Sequence, residues 1–510
     1  MQLFIRLYIC PKLRDMQETQ IRTIFGLKLR QLREDKELSL FGLSKKTGLS
    51  KSYLNEIEKG KKYPKTDKVL LLAQALEVDY DELVSLKLTG KMAPVAEMVG
   101  SGILDEIPLG LFGMEEQQLI DIMINAPEKV NTFISTIFQI ARDHEVTRDY
   151  FFLSALRAYQ EANFNYFAHL EDEAQATAKR FHLYEDGGHI SLSTLEELLT
   201  EEYDIEIDYK TLAGDRRMPR VRSVYIPGKK ERLLIDPEIT ESQKIFLLSK
   251  ELGNKRLGIT VRPRTFTWIQ FNSFEEVLNN FKASYFAGAL LLPQKVLANE
   301  LKTVFGSKTW EPEVFADLVA RHSDSVETFF QRLTNILPGL FGIEEVFFLR
   351  YEGEKGKEDY KLTKELHLSR QHQPHANQLD EHYCRRWVAL DILKNPCEYK
   401  TSKMEIGAQF SSYVGTDFEY LVITARQPDP FKSDFYRSIS LGMELTPKLK
   451  KQVAFLEDKK LQTKLVSVTC ETCPILDCEV RAAEPVRYLK AQENEVIKSY
   501  IDDLIKDLES

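Results

Sequence analysis

Three cysteines crowd into nine residues near the carboxyl end, Cys470-Glu471-Thr472-Cys473-Pro474-Ile475-Leu476-Asp477-Cys478. A CxxC pair followed by a third thiol five residues on is a spacing that lets several thiolates reach one metal centre. Three ligands leave a tetrahedral zinc ion or a four-iron cluster one short. Cys384, immediately before Arg385-Arg386-Trp387, is the best candidate for the fourth ligand, and Cys397, after Pro396, is its competitor. The short spacing, with Cys473-Pro474 and the following Arg481-Ala482-Ala483, favours a 4Fe-4S cluster over structural zinc. A set of reduced thiols is the reading without a metal.

A second chemistry sits near the other end, in Thr47-Gly48-Leu49-Ser50-Lys51-Ser52-Tyr53-Leu54-Asn55-x-Ile57-Glu58-x-Gly60. Gly48 supplies a tight turn between two helices, and Ser50 caps the second with its hydroxyl. On that helix Leu49, Leu54 and Ile57 share an inward face, which leaves Lys51, Ser52 and Asn55 to reach base edges and phosphates in a major groove. Seven lysines against two glutamates between Lys45 and Lys65 extend the cationic surface. The candidate DNA contacts are therefore Ser50, Lys51, Ser52, Asn55, Lys61 and Lys62. One such module reads sequence weakly, so a homodimer on half-sites about one helical turn apart is expected on double-stranded DNA. The formal net charge of −9 hides this patch: residues 21–87 hold 14 Lys/Arg against 10 Asp/Glu, leaving −13 on the rest.

These residues must be positioned by a chain of 510 residues and 59.0 kDa, enough for roughly two to four domains. With 43% hydrophobic and 29% charged residues the composition is that of a globular protein, which excludes collagenous and disordered classes. The first apolar run is broken by Arg6, far short of a membrane span, and no small-residue cleavage site follows, so a cytoplasmic protein without a membrane partner is expected. Residues 1–20 read as an extension, with Met16 as an alternative start, and 21–87 as the helix-turn-helix domain. The glycines and prolines of 88–130 mark a linker. Residues 131–303 combine a helical segment with a strand pair around Pro227-Gly228 and helices at about 240–256 and 274–302. Residues 304–486 mix helix with β-rich runs such as Val346–Leu349 and Tyr420–Ile423, and 487–510 form a last helix. Its stripe of Ile497, Tyr500, Ile501, Leu504, Ile505 and Leu508 suits packing within the chain or against a second copy. The fold class expected is multidomain: an all-α helix-turn-helix domain followed by mixed α+β sensor domains.

Residues 26–83 resemble the Cro/cI-type helix-turn-helix family, including Glu58-x-Gly60 and the closing Leu71-Leu72-Ala73-x-Ala75-Leu76; Leu40 stands where that family has a buttressing Gln. Residues 242–254 resemble the His-Glu-x-x-His helix of ImmA/IrrE-type zinc peptidases, and Ala283–Pro293 its second helix. Lys250 and Asn254 hold the two histidine places, Asn280 and Lys282 lie where a carboxylate ligand would stand, and Glu251 alone cannot bind zinc. No enzyme activity is expected; a metallopeptidase repressor is the alternative, and an antitoxin-like protein-binding module a third reading. In this order the pieces, with Tyr150-Phe151-Phe152, Asn165-Tyr166-Phe167 and Cys384-x-x-Trp387, resemble bacterial short-chain fatty-acyl transcriptional regulators. That resemblance implies an acyl-CoA or short-chain acid effector and, in some members, a 4Fe-4S cluster. The densest basic segment outside the DNA module, Arg216, Arg217, Arg220 and Arg222 with Lys229 and Lys230, is the candidate clamp for effector phosphates, against a plain solvated hairpin.

Overall fold

Two glycines set how closely the first helices cross. The computed structural model describes residues 18–85, 118, 148–184, 189–214, 221–265, 271, 273–368, 381–395, 404–429, 432 and 434–509. Residues 1–17, the expected linker apart from residue 118, and Arg216, Arg217, Arg220 and Cys397 lie outside them. Helices α1 (Glu18–Asp35), α2 (Leu40–Thr47), α3 (Lys51–Glu58), α4 (Thr66–Leu76) and α5 (Tyr80–Val84) surround Leu29, Leu43, Leu54, Ile57 and Leu72. A Cβ on Gly26 would come within 2.3 Å of the Ile57 carbonyl oxygen, so only glycine lets α1 pass over α3 at this distance. Gly60, at φ +68°, turns the chain after α3 against Thr23. Across the same crossing Arg33 donates from Nε and Nη2 to both oxygens of buried Glu58, at 2.6 and 3.0 Å.

The chain divides into two units, Met1–Ala155 with Phe271–Glu275 and Leu156–Gln270 with Glu276–Ser510. Helix α6 (Arg148–Ala162) begins in the first and ends in the second. In the second unit α7 (Ala168–Arg180), α8 (Leu192–Glu201), α9 (Glu241–Arg256) and α10 (Phe274–Leu291) pack with a three-stranded sheet. Its strands β1 (Ile205–Asp208), β2 (Ser223–Ile226) and β3 (Glu231–Ile235) run in the order β1-β3-β2. The hairpin expected around Pro227-Gly228 is β2-β3, and β1 joins β3 in parallel. Thr240 starts α9 with a full capping box: its hydroxyl accepts from the Gln243 amide, and the Gln243 side chain accepts from the Thr240 N–H.

The single helix expected over 274–302 is two, because Pro293 cannot continue the hydrogen-bond ladder of α10. Helix α11 (Gln294–Gly306) instead places Leu297, Ala298 and Leu301 in the next core, with α12 (Pro312–His322) and α13 (Val326–Ile336). The first of these cores thus ends with Leu290 of α10, and the next begins with Leu297 of α11.

That next core lies on one face of a six-stranded sheet ordered β5-β4-β8-β7-β6-β9. The strands are β4 (Val346–Glu354), β5 (Tyr360–His367), β6 (Glu405–Tyr413), β7 (Glu419–Pro428), β8 (Phe435–Glu444) and β9 (Thr463–Val466); only the β6-β9 pair is parallel. Val346, Phe348, Leu421 and Ile423 face α11–α13 and α15 (Pro447–Gln452), while Phe347, Leu349, Tyr420 and Val422 face α14 (Val388–Lys394). Covering both faces explains why these strands read as unbroken apolar runs. Helix α16 (Val486–Glu509) ends the chain, and among the described residues no helix is long and apolar enough to cross a membrane. The fold class is the one expected, a helical domain followed by mixed α+β domains.

One ion pair ties the two cores of the second unit together. Arg332 of α13, fully buried, donates from Nη1 and Nη2 to Glu171 of α7 at 2.5 and 2.7 Å, and from Nε to the Leu292 carbonyl at 2.9 Å. The Tyr285 hydroxyl of α10 donates to the same carboxylate at 2.8 Å. Breaking such a pair from one side leaves an uncompensated buried charge. Arg332→Met should therefore lower unfolding stability by about 3–5 kcal/mol, read by denaturant titration, and adding Glu171→Gln should return part of the loss. Equal stability of Arg332→Met and the wild type would remove the pair from this role.

Candidate functional site

The recognition helix is built as its residues suggest. Gly48 closes α2 at φ +71°, with its N–H bonded to the Ser44 carbonyl, and the Ser50 hydroxyl accepts from the Tyr53 amide at 3.2 Å. Leu49, Leu54 and Ile57 are buried, whereas Ser50, Lys51, Ser52, Lys61 and Lys62 are exposed and Asn55 is half-exposed. The six candidate contacts therefore lie on α3, at its cap and in the turn that follows it. Lys62 is tethered to Glu56 at 2.8 Å, an exposed pair that a phosphate can displace at little cost. Leu40 packs half-buried against the domain core, so an apolar contact stands where the resembled family has an amide. Missed in the sequence was the pairing of Arg33 with Glu58, which holds the end of α3 against α1; the two lie 25 residues apart, beyond any local periodicity.

At the far end two segments are stitched side by side by a bridge between Tyr383 and Thr469. The Cys384 amide donates to the Val468 carbonyl at 3.1 Å and the Cys470 amide to the His382 carbonyl at 2.8 Å. This pairing puts Cys384, Cys470, Cys473 and Cys478 around one small pocket, with Arg385 and Arg481 also in its wall. All four are free thiols; the first three are buried and Cys478 is half-buried. Arg481 organises the loop: its guanidinium donates to the carbonyls of Cys470 (2.8 Å), Cys473 (3.4 Å) and Ile475. The Ala482 amide points at Cys470 Sγ from 3.4 Å. Burial, joined by the neighbouring Cys470 and Cys473, pushes the Cys384 thiol up, so only a strong cation would hold it deprotonated. Among the described residues no three His, Cys, Asp or Glu side chains are gathered as a ready single-ion site. The thiols line the pocket without closing on one point.

Lys250 and Asn254 of α9 and Asn280 of α10 meet in a small half-open cavity. Lys250 Nζ donates to Asn280 Oδ1 at 2.6 Å, and Asn254 Nδ2 lies 3.4 Å from Glu251 Oε2. Arg262, a residue no motif pointed to, crosses the cavity to bond Glu251 Oε2 at 2.5 Å and stacks on the Tyr225 ring, 3.4 Å from its centre. Burial pulls the Lys250 ammonium down to about 8, against the opposing influence of Glu251. Of the four arginines expected to clamp an effector, only Arg222 is described. It is half-buried near Arg437, Arg350, Glu327 and Asp429, and burial lowers its pKa. It thus faces Arg350, Arg437 and Asp429 at the large sheet and Glu327 of α13.

Residues 24–86 match a helix-turn-helix domain family. The solved structure of a Mycobacterium tuberculosis transcriptional regulator is similar at 15% identity and a TM-score of 0.44, over 65% of this chain and 92% of that one. The restriction-modification controller protein C.AhdI from Aeromonas hydrophila matches at 37% identity over 12% of this chain and 94% of its own, with a TM-score of 0.12. No curated protein matches the sequence. Residues 24–86 are therefore a helix-turn-helix domain of the Cro/cI type, the part of the chain that Gly48, Ser50 and the buried Leu49, Leu54 and Ile57 build.

Proposed function

We propose that the chain is a homodimeric DNA-binding transcription regulator whose second unit senses an acyl-CoA or short-chain acid metabolite and carries a cysteine-ligated 4Fe-4S cluster. The observation that carries the DNA reading is the helix-turn-helix domain with an exposed Lys51-Ser52 at the start of α3. The metabolite is the one implied by the resemblance to short-chain fatty-acyl regulators. The chain is not a peptidase in this reading, since an ammonium and an amide stand at Lys250 and Asn254 and Glu251 is engaged by Arg262.

Cys384, Cys470, Cys473 and Cys478 would hold the cluster. Their fit is supported by the shared pocket, the N–H aimed at Cys470 Sγ, and Arg385 and Arg481 as counter-charges. A cluster spreads its ligands over several irons, which suits thiols set around a pocket better than a single zinc ion does. When bound it supplies a one-electron couple and sensitivity to iron supply. The chain's own part is to keep the thiols buried and to donate hydrogen bonds toward them.

Dimerisation is assigned to α16, where Ile497, Ile501, Leu504 and Leu508 repeat at spacings of four, three and four and are all about half exposed or more. Its net charges oppose its own dipole: Arg487 and Lys490 stand near the amino end, and Asp502, Asp503, Asp507 and Glu509 outnumber Lys506 near the carboxyl end. An antiparallel second copy would set each end against its opposite.

Lys51→Glu should weaken binding to a duplex selected in vitro by about a hundredfold at 0.15 M salt while leaving the melting temperature unchanged; undiminished, salt-sensitive binding would remove α3 from the groove. Anaerobic purification should give a brown protein with about four irons per chain, bleached by Cys384→Ser, whereas a colourless zinc protein would reject the cluster. In sedimentation, Ile501→Asp with Leu504→Asp should convert a dimer to a monomer; an unaltered dimer would place the interface elsewhere.

A further inference from the structure

The geometry points to the Lys250 cavity as the binding site of a small organic anion that carries a hydrogen-bond donor beside its charge, such as a 2-hydroxy carboxylate. This rests on, and deepens, the reading of the second unit as a metabolite sensor. Among the described residues, the charged side chains lining the cavity are Lys250, Arg262 and Arg264 against one carboxylate, Glu251. Arg262 and Glu251 largely cancel at 2.5 Å, and the other charged side chains described in the wall, Lys250 and Arg264, are both cationic. An anion is what such a wall attracts.

The donor follows from a different atom. Glu251 is 4% exposed, and while its Oε2 takes Arg262 and Asn254, its Oε1 has no hydrogen-bond partner. A buried carboxylate oxygen left unsatisfied is costly, and Glu251 lines the cavity. A ligand hydroxyl next to its carboxylate would satisfy that oxygen while the carboxylate meets Lys250 and Arg264. Arg264 is exposed at the mouth and Lys250 is buried. The cavity thus has a cation at its entrance and another at its back.

The test titrates the full-length protein with glycolate, acetate and inorganic phosphate by calorimetry. Glycolate differs from acetate by the hydroxyl alone and should bind about tenfold more tightly or better, the worth of one hydrogen bond to a charged group. Arg264→Ala should weaken both carboxylates without disturbing the fold, and Lys250→Met should abolish them. Loss of folding is excluded as the cause by a melting control. Burial lowers the Lys250 pKa in the folded chain, with Glu251 opposing and Arg262 reinforcing the shift, so its charge costs stability below about pH 8. Lys250→Met should therefore melt above the wild type at pH 7, with the excess shrinking as pH rises from about 8 toward 10. Absence of saturable glycolate binding, phosphate bound in preference to glycolate, or glycolate binding untouched by Lys250→Met would each overturn the site. Anion binding by a protein that ignores DNA would leave the site standing and sink the regulator reading; DNA binding without anion binding would do the reverse.

Discussion

The buried contact between Glu171 and Arg332 is the constraint on which the second unit is assembled. Removing a carboxylate and a guanidinium from water costs several kcal/mol per ion. Here the cost is offset by two parallel N–H···O bonds, the Tyr285 hydroxyl and the Leu292 carbonyl, which together satisfy most of both groups. Each partner belongs to a different element: α7, α10, the turn after α10, and α13. Asn165 and Asn335 extend the same joint, Asn335 Nδ2 donating to the Asn165 carbonyl and Asn165 Nδ2 to the Thr334 hydroxyl, both at 2.9 Å. A directional joint of this kind fixes register in a way that apolar packing alone does not. Helix α10, which supplies Asn280 to the cavity, is held against α13, whose continuation leads into β4 of the large sheet.

How much of this was legible depended on how local each determinant is. The helix-turn-helix could be read because its signals fall within about a dozen residues: a glycine for the αL turn, a serine cap, and three apolar positions at helical spacing. Strands β4 and β7 and the hairpin β2-β3 were likewise visible as apolar runs and a Pro-Gly turn. The parallel pairing of β1 with β3 was not, since register across some 20 intervening residues leaves no periodic mark. Pro293 is a milder case, for the residue that splits α10 from α11 was in plain view, but the switch of Leu297 and Leu301 to another core depends on tertiary packing. Arg262 lies beyond the end of α9 and earns its place only through contacts with Glu251 and Tyr225, so no motif could have named it.

The cysteine pocket shows the same division. CxxCx4C marks three thiols by spacing, but the choice of Cys384 over Cys397 is a question of which loop pairs with residues 468–470. The backbone bonds of Cys384 to Val468 and of Cys470 to His382 bring Cys384 to the pocket, whereas Cys397 lies outside the described residues. Arg481 adds a layer that spacing could not supply. By engaging the carbonyls of Cys470, Cys473 and Ile475 it holds the loop's backbone curled, and as a cation it lowers the cost of gathering thiolates there. His382 and Glu471, paired at 2.8 Å, close the rim, and the Glu471 carbonyl accepts from the first amides of α16. The thiol loop and the terminal helix are thus continuous parts of one support.

Glu251 of α9 is buried, and a buried carboxylate needs positive charge beside it. In a zinc enzyme the metal supplies two positive charges beside that residue. Here Lys250 and Arg262 supply two positive charges from side chains, one on the helix itself and one from the segment after it, so the carboxylate stays buried without a metal. Side-chain cations are not chemically equivalent to a metal ion. A metal offers open coordination positions that polarise water; an ammonium and a guanidinium offer only donors, which favour holding an anion over activating a nucleophile. Positive charge supplied by side chains therefore suits Glu251 to the part of a hydrogen-bond acceptor on the cavity wall.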